Sequence, residues 1–306
     1  KKQYQETAAA SLTQANPSIL KILRALINRK FFNPRKPMSD RFEHHKDRAV
    51  ITLSGPDRRS LLQGIITNNV DHLDDGKGLY AALLTAQGKF LHDFFLVEKN
   101  DTIYLDCEAD RMAELFQKLL MYRLRSNVKI LDLSDHYKII TGTQRFENID
   151  LSYADPRHAK MGYRAIVDMF PQGDTETSYH VRRIKLGIAE GSRDFIPAKS
   201  TVLEGHFEQL NGLDYEKGCY VGQEVTARMK YRGKIKKLMM PVTLSGTAPA
   251  FGTSVTDEKG NKIGDLRSNC DKNAIVLFSI KDLKFGTQYA CGDIYVTPYK
   301  PDWTYE

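Results

Sequence analysis

The amino-acid sequence predicts an α+β protein with mostly antiparallel sheets and a small β-barrel at its C-terminal end. The first observation is the order of patterns between residues 48 and 120, which reads strand, helix, hairpin, strand, helix. That order favours packed layers over a doubly wound parallel sheet. The second observation is a change after residue 236 to short apolar runs separated by turn residues, as in small barrels. The length of 306 residues allows two or three such units.

The N-terminal half contains two strand-and-helix patterns around a hairpin. Pro56 follows an apolar strand and is suited to the first turn of a helix, where its missing N–H leaves no bond unmade. The turn Ala86-Gln87-Gly88-Lys89 separates two apolar runs and predicts the hairpin. The predicted elements are strands at residues 49–53, 79–84, 90–97 and 103–106, a helix that starts after residue 55, and a helix at residues 109–120.

The second half adds a short-stranded middle segment, a helix and the barrel. The helix begins at Tyr179, and Gly187 is placed to end it. The chain therefore divides into a basic leader at residues 1–37, a region at 38–235 whose middle subdomain covers about 127–186, and the barrel at 236–306. The predicted strands are residues 128–131, 138–141 and 163–167 in the middle segment, and 238–244, 253–256, 262–266, 274–279 and 294–298 in the barrel.

The net charge of +7 is confined to the leader, which has eight basic side chains and one acid, Glu6. The body from Met38 onward has equal numbers of basic and acidic residues, so it lacks the electrostatic signature of a protein that binds phosphate backbones. Nucleic acid is therefore an unlikely partner. Residues 18–32 fit a basic amphipathic helix, which could be part of a mitochondrial transit segment, a surface-associating helix or dispensable upstream sequence.

The four cysteines are far apart in the sequence and form no C-x-x-C pair. Their spacing predicts neither a zinc site nor a ready cage for an iron-sulfur cluster, and isolated thiols suit a reducing compartment. No stretch approaches the roughly 18 uninterrupted apolar residues that span a bilayer, so no membrane span is expected. We expect a monomeric protein of the cytoplasm, with the mitochondrial matrix as the alternative.

One cysteine lies in a segment whose pattern indicates chemistry. Gly218 and Gly222 bracket Cys219, and the residues that follow can form a helix in which Glu224 meets Arg228 one turn later. A thiol just before a helix N-terminus, close to the cation of Lys217, favours the thiolate and so predicts a reactive or metal-binding sulfur. The alternative is a small buried cysteine in a tight glycine loop.

The octet Lys217-Gly218-Cys219-Tyr220-Val221-Gly222-Gln223-Glu224 resembles the signature of the YgfZ/GcvT-like family, including its mitochondrial iron-sulfur assembly relatives. Further stretches, among them Arg123-Leu124-Arg125 and Gly264-Asp265-Leu266-Arg267-Ser268, resemble the same family. The resemblance runs from about residue 41 to the C-terminus. It implies an aminomethyltransferase-like fold, with two interleaved α+β subdomains and a barrel around a channel for tetrahydrofolate. It also implies a folate-binding protein that supports assembly or repair of iron-sulfur clusters in client enzymes, including tRNA-modifying enzymes.

The resemblance assigns site residues by position. Cys219 would carry the thiol chemistry and contact a cluster transiently, with iron-sulfur client or scaffold proteins as partners. A folate site needs an acid or amide for the pterin and cations for the glutamate tail. The residues of the motif loop are Lys217, Gly218, Tyr220, Gly222, Gln223 and Glu224, and the candidate folate contacts are Thr67, Asn68, Lys89, Asp93 and Arg228.

Two other functions stay open at this stage. A folate-dependent aminomethyl or methyl transferase is the main rival, although His92 precedes Asp93 where the aminomethyltransferase pattern has a pair of acids. An RNA-binding module is the second rival, because residues 230–237 hold five cations and an aromatic residue. No complete catalytic constellation accompanies Cys219, so catalysis is left undecided.

Overall fold

The computed structural model describes residues 42–74, 76–169, 178–233 and 235–304. These residues form an antiparallel five-stranded sheet, an antiparallel four-stranded sheet and a closed six-stranded barrel, with helices between them. The predicted α+β architecture with a C-terminal barrel is confirmed. The predicted leader lies outside the described residues. Within the described residues, no helix combines the length and apolarity needed to cross a membrane.

The first sheet holds the predicted hairpin and is covered by two helices. Its elements are β2 (Arg48–Ser54), α1 (Arg58–Gln63), β3 (Leu79–Leu84), β4 (Phe90–Lys99), β5 (Thr102–Glu108), α2 (Met112–Arg123) and β6 (Lys129–Asp132). The strand order is β3-β4-β5-β2-β6. Leu62 of α1 and Leu119 of α2 are fully buried against one face, whereas Tyr80 and Phe95 belong to a second core on the other face. The alternation of side chains along each strand separates these two cores.

The second sheet shows how the two subdomains are interleaved. Its strands are β1 (Phe42–His45), β7 (Lys138–Gly142), β8 (Ser152–Ala154) and β9 (Tyr163–Val167), in the order β1-β7-β9-β8. Although β1 comes immediately before β2 in the sequence, it pairs with β7. From residue 42 onward, the chain therefore contributes first to the second sheet, then builds the first sheet, and then returns to the second.

The barrel closes because its first strand pairs on both sides. Its strands are β10 (Lys237–Leu244), β11 (Ser254–Thr256), β12 (Lys262–Cys270), β13 (Asn273–Ser279), β14 (Tyr289–Cys291) and β15 (Ile294–Pro298). β10 pairs with β13 along its length and with β15 at its end. Met240, Val242 and Leu244 alternate along β10 into the barrel core. This period of two matches the pattern that predicted the strand.

Three further helices connect the sheets to the barrel and to each other. They are α3 (Tyr179–Lys185), α4 (Gly191–Asp194) and α5 (Gln223–Tyr231). Beyond the end of α3, Gly187 has a φ of +72°, and a Cβ there would lie 2.8 Å from the ring of Pro241 on β10. Buried Arg183 of α3 donates to Asp194 (2.6 Å) and to Ser268 of β12 (2.9 Å). A glycine contact and an arginine bridge thus fix the barrel against the helices.

The structure differs from the sequence predictions at short or ambiguous elements. Patterns in the sequence do not predict β1, β8 or β14, which have three or four residues each and so give little periodicity, although the equally short β6 and β11 are predicted. The strand at 129–132, grouped by sequence with the middle segment, pairs with β2 and extends the first sheet. α1 begins at Arg58, so Pro56 lies before the helix and not in its first turn.

Candidate functional site

The loop of residues 214–222, here called the cysteine loop, leads into α5 and carries the predicted motif. Its two ends are attached by backbone hydrogen bonds to the segment that follows α1. The Asp214 N–H donates to the Thr67 carbonyl (3.1 Å), and the Val221 N–H donates to the Gly64 carbonyl (3.2 Å). The loop is therefore fixed relative to the first sheet.

Lys217 is the central anchor of this loop. The residue is only 5% exposed, and its Nζ donates to the backbone carbonyls of Ile66 (2.8 Å) and Asn68 (2.6 Å). Nζ also lies 5.1 Å from the centre of the Tyr220 ring, and burial lowers the pKa of Lys217 to about 8. The structure thus gives Lys217 a holding role in the loop, and its predicted effect on the Cys219 thiolate stays a prediction.

Two glycines let the cysteine loop approach the β3–β4 hairpin backbone to backbone. Gly222 has a φ of +85°, and a Cβ there would lie 2.6 Å from the Thr85 carbonyl oxygen. Gly88 has a φ of +69°, and its Cβ would lie 3.1 Å from the Gly222 carbonyl oxygen. Gly218 differs, because a Cβ there would meet no atom within 4 Å. Of the two glycines that bracket the cysteine, only Gly222 is required by this geometry.

Cys219 is exposed, which excludes the alternative of a buried cysteine in a glycine loop. Cys107 and Cys291 are buried, and Cys270 has intermediate exposure. Cys219 lies three residues before Gly222, the residue that precedes α5. Within the described part of the chain, no group of three or more histidine, cysteine or acidic side chains could hold a metal ion. Cys219 therefore offers one exposed thiol and no neighbouring set of metal ligands from the described residues.

The other residues of the motif differ in whether they are buried in the core or exposed to solvent. Tyr220 is 6% exposed and packs in the core, whereas Gly218 is exposed. Gln223 is the first residue of α5. Glu224 and Arg228 form the predicted ion pair one turn apart on the solvent side of the helix. Arg228, a candidate folate contact, is therefore paired on an open surface.

The polar atoms of Thr67 and Asn68, two further candidate folate contacts, are used inside the protein. The Thr67 hydroxyl donates to the Gly212 carbonyl (2.6 Å). The Asn68 amide donates to the carbonyls of Tyr80 (2.8 Å) and Asn211 (2.7 Å). Both side chains hold the start of the cysteine loop to the first sheet, and little capacity remains for a ligand.

Asp93, the candidate acid for the pterin, lies buried on β4. It accepts hydrogen bonds from the Tyr80 hydroxyl (2.7 Å) and the Gly191 N–H (3.0 Å). Burial raises the pKa of Asp93, and Arg48 opposes that rise. Lys89 lies in the hairpin turn with intermediate exposure. The polar atoms of Thr67, Asn68 and Asp93 are bonded inside the protein, so as placed these three residues offer little to a folate. Folate binding stays a prediction.

A buried ionic network that the sequence analysis missed lies between the two sheets. Fully buried Arg157 donates to Asp155 (2.7 Å), Glu190 (2.8 Å) and the Tyr179 hydroxyl (2.7 Å). Burial alone would raise the pKa of Glu190, but Arg157 and its neighbouring arginines lower it well below the ordinary value. A second pair, Arg164 and Asp106, joins β9 to β5. The sequence signal for this network is Arg164 itself, a charge within the otherwise apolar strand 163–167.

A polar cleft of about 820 Å³ lies beside the cysteine loop. Tyr215 of the loop and Tyr231 of α5 border it, with ring centres 6.0 Å apart. Lys230 lies 4.1 Å from the Tyr215 ring centre and pairs with Glu208. Of the candidate folate contacts only Asn68 borders this cleft, and Cys219 does not.

The basic run that suggested the RNA-binding alternative is partly paired within the described residues. Lys230 is paired with Glu208, whereas Arg232, Lys236 and Lys237 are exposed. Lys234 lies outside the described residues. An isolated set of exposed cations on a body without excess charge is typical of a solvated loop.

Comparison with known proteins finds a matching family for the barrel and similar proteins for a larger part of the chain. Residues 236–306 match the family described as CAF17, C-terminal beta-barrel domain. The chain is 35% identical over 236 residues to a Neurospora crassa protein named iron-sulfur cluster assembly factor IBA57 homolog, mitochondrial, which covers 66% of this chain and 54% of the relative. It is 28% identical over 298 residues to the Mus musculus protein named iron-sulfur cluster assembly factor IBA57, mitochondrial. That match covers 84% of this chain and 83% of the mouse protein. The chain spans about half the length of the fungal relatives, 54–57%.

Among solved structures, the chain is similar to glycine cleavage system aminomethyltransferase T from Bartonella henselae. The TM-score is 0.71 over 88% of this chain and 87% of the other, at 14% identity. At that identity the likeness concerns the fold, and it confirms the aminomethyltransferase-like architecture implied by the motif. The matching barrel, relatives that align well beyond it and this fold together support the resemblance to the YgfZ/IBA57-like family that the cysteine motif indicated.

Proposed function

We propose that this chain assists the assembly of iron-sulfur clusters by presenting Cys219 as a ligand to a cluster that a partner protein holds jointly. The observation that carries the proposal is the exposure of Cys219 on a loop whose neighbouring lysine is buried and bonded. Relatives named iron-sulfur cluster assembly factor support the same role.

The chemistry of a single thiol explains why a partner is needed. A thiolate is the form that binds iron, and a cluster is normally held by four protein ligands. The described residues offer no group of three side chains that could hold a metal ion, so the remaining ligands would come from the partner. The cluster is then cargo passed between proteins, and Cys219 supplies one bond to iron during the passage.

The anchored loop suits such a transient ligand. Lys217 and Gly222 fix the residues on both sides of Cys219, while the sulfur itself faces solvent. A ligand that is already positioned loses little conformational freedom when iron binds. Exposure also lets a cluster held by a second protein reach the sulfur without opening of the core.

The relatives favour a mitochondrial location over the cytoplasmic one predicted from the sequence, because their names describe mitochondrial proteins. We therefore propose the mitochondrial matrix as the site of action, with iron-sulfur assembly proteins and clients as partners. Clients among tRNA-modifying enzymes and a monomeric state stay predictions from the sequence.

Tetrahydrofolate has no step in this mechanism. A folate-dependent transferase would use Asp93 on the coenzyme, yet this carboxylate accepts from Tyr80 and Gly191 inside the protein. The rival function therefore predicts loss of activity in Asp93→Asn, whereas the cluster role predicts that the variant keeps it.

Complementation tests the proposal in cells that lack the endogenous homologue. Wild type, Cys219→Ser, Asp93→Asn and the control Cys270→Ser are compared by the activity of a [4Fe-4S] enzyme. We expect Cys219→Ser to fail and the other two variants to rescue. Equal protein levels and melting temperatures would exclude misfolding as the cause. Full rescue by Cys219→Ser would overturn the proposal, and failure of Asp93→Asn alone would favour the transferase.

A further inference from the structure

The turn between α2 and β6 holds a leucine in a conformation that glycine normally occupies. The Ser126 N–H donates to the Arg123 carbonyl (2.7 Å), which closes a β-turn with Leu124 at its first central position. Leu124 has a φ of 43° and a ψ of −108°, the geometry of a type II′ turn. A bulky side chain is rare there, because its Cβ is strained against the backbone.

Packing of the side chain does not compensate for this backbone strain, because Leu124 is 85% exposed. Met121, in the last turn of α2, is 56% exposed, and Leu131, on β6, is 39% exposed. One short stretch of chain thus presents three large apolar side chains to solvent. Strain retained without packing indicates a contact that is absent from the isolated chain.

Three cations lie close to Leu124 in the sequence and form no ion pair within the described residues. They are Arg123, Arg125 and Lys129, and the nearest acid in the sequence, Asp132, accepts a hydrogen bond from Ser134 (2.6 Å). The C-terminus of α2 favours cations by itself, so the charges alone would indicate little. Together with the strained leucine, the three cations indicate a docking surface that is apolar where it meets Leu124 and acidic around that point.

We infer that this turn docks a partner protein that offers an apolar socket for Leu124 within an acidic rim. The inference deepens the proposed function, since the partner would be the iron-sulfur protein that shares the cluster with Cys219. A second copy of the chain using the same face would place like charges together. One leucine also buries too little apolar area to hold a membrane. Lysine on an edge strand opposes pairing with another strand, so docking relies on side chains.

A photo-cross-linking residue at position 121, which leaves Leu124 in place, identifies what occupies the turn in cells lacking the endogenous homologue. The cross-linked protein is then purified, and its affinity is measured for wild type, Leu124→Gly, Leu124→Ala and the control Tyr295→Ala on the barrel. We expect Leu124→Gly to melt above wild type, because strain is relieved, and yet to bind at least about tenfold more weakly. Leu124→Ala keeps the strained backbone and should bind as weakly without the gain in melting temperature. Tyr295→Ala should bind like wild type.

Arg123→Gln with Arg125→Gln tests the acidic rim, because the double variant should bind more slowly and lose much of the dependence on salt. Wild-type affinity in Leu124→Gly would overturn the inference, as would a cross-link only to lipid, only to a second copy, or to no protein. The two proposals fail separately. Cys219→Ser should keep the docking affinity while losing complementation, whereas Leu124→Gly loses docking with the thiol intact.

Discussion

The ammonium nitrogen of Lys217 lies 2.6 Å from the backbone carbonyl oxygen of Asn68. This contact joins the lysine of the cysteine motif to the segment that follows α1. The same nitrogen also donates to the Ile66 carbonyl (2.8 Å), so two buried acceptors depend on one side chain. Lysine therefore serves the motif through its reach and its hydrogen-bond donors.

Replacing Lys217 by methionine should destabilise the protein by about 1–3 kcal/mol at neutral pH, because two buried carbonyls lose their donor. The loss should grow as the pH rises. Burial lowers the pKa of Lys217 to about 8 from an ordinary 10.5. Between those values the unfolded chain binds the proton more than the folded chain, so wild type gains stability with pH and the variant does not. Urea unfolding at pH 7 to 10 measures the difference.

Lys236→Met is the matched control for this titration, because Lys236 is exposed. Its unfolding free energy should follow that of wild type at every pH. A constant difference between wild type and Lys217→Met across the same range would mean that Lys217 titrates normally and is not buried.

The two glycines of the motif should respond differently to alanine. Gly222→Ala places a Cβ 2.6 Å from the Thr85 carbonyl at a φ of +85°, so we expect a loss of about 1–3 kcal/mol or more. Gly218→Ala meets nothing within 4 Å and should be close to neutral. Thermal denaturation compares them. Equal melting temperatures for the two variants would contradict the backbone contact between the loop and the hairpin.

The sequence predicts the long, periodic elements of the fold and misses three of the short strands, β1, β8 and β14. The strands of the β3–β4 hairpin and β10 are long enough to give a clear sequence pattern. β1 has four residues, and its partner β7 is distant in the sequence. The local sequence around β1 does not predict its pairing with β7, because that pairing is set by tertiary packing.

For the site, motif and geometry agree at Cys219 and differ at the folate contacts. Polar residue type alone indicated Thr67 and Asn68, but their hydrogen bonds to Gly212, Tyr80 and Asn211 exist only in the folded chain. A sequence shows which side chains can donate or accept. It does not show which of them the backbone has already engaged.

Alkylation of the native protein should distinguish its cysteines. We expect iodoacetamide to modify Cys219 first, because this sulfur is exposed. Cys107 and Cys291 should react only after unfolding, because both are buried and burial raises their thiol pKa values. Intact mass and peptide mapping over time give the order. Modification of Cys107 before Cys219 would contradict the exposed position of the loop.

Two buried carboxylates should show opposite dependence on pH. Arginines lower the pKa of Glu190 well below 4.5, against the effect of burial, so its stabilising contribution is present at neutral pH and is lost as the pH falls. Glu190→Gln should therefore cost about 3–5 kcal/mol at pH 7, since Arg157 loses its charged partner, and less under acid conditions.

Burial raises the pKa of Asp93, so the folded chain binds its proton more than the unfolded chain above the ordinary value of 3.8. Wild type therefore loses stability as the pH rises above 3.8 and Asp93 gives up its proton in the folded chain. Asp93→Asn cannot titrate, so it does not lose stability in this way, and its amide oxygen can still accept the hydrogen bond from Tyr80. In urea unfolding from pH 4 upward, we expect the unfolding free energy of Asp93→Asn to increase relative to wild type. That of Glu190→Gln should decrease relative to wild type over the same range. If both variants moved in the same direction, the two carboxylates could not occupy environments of opposite character, and the division between the ionic network and the Asp93 site would be wrong.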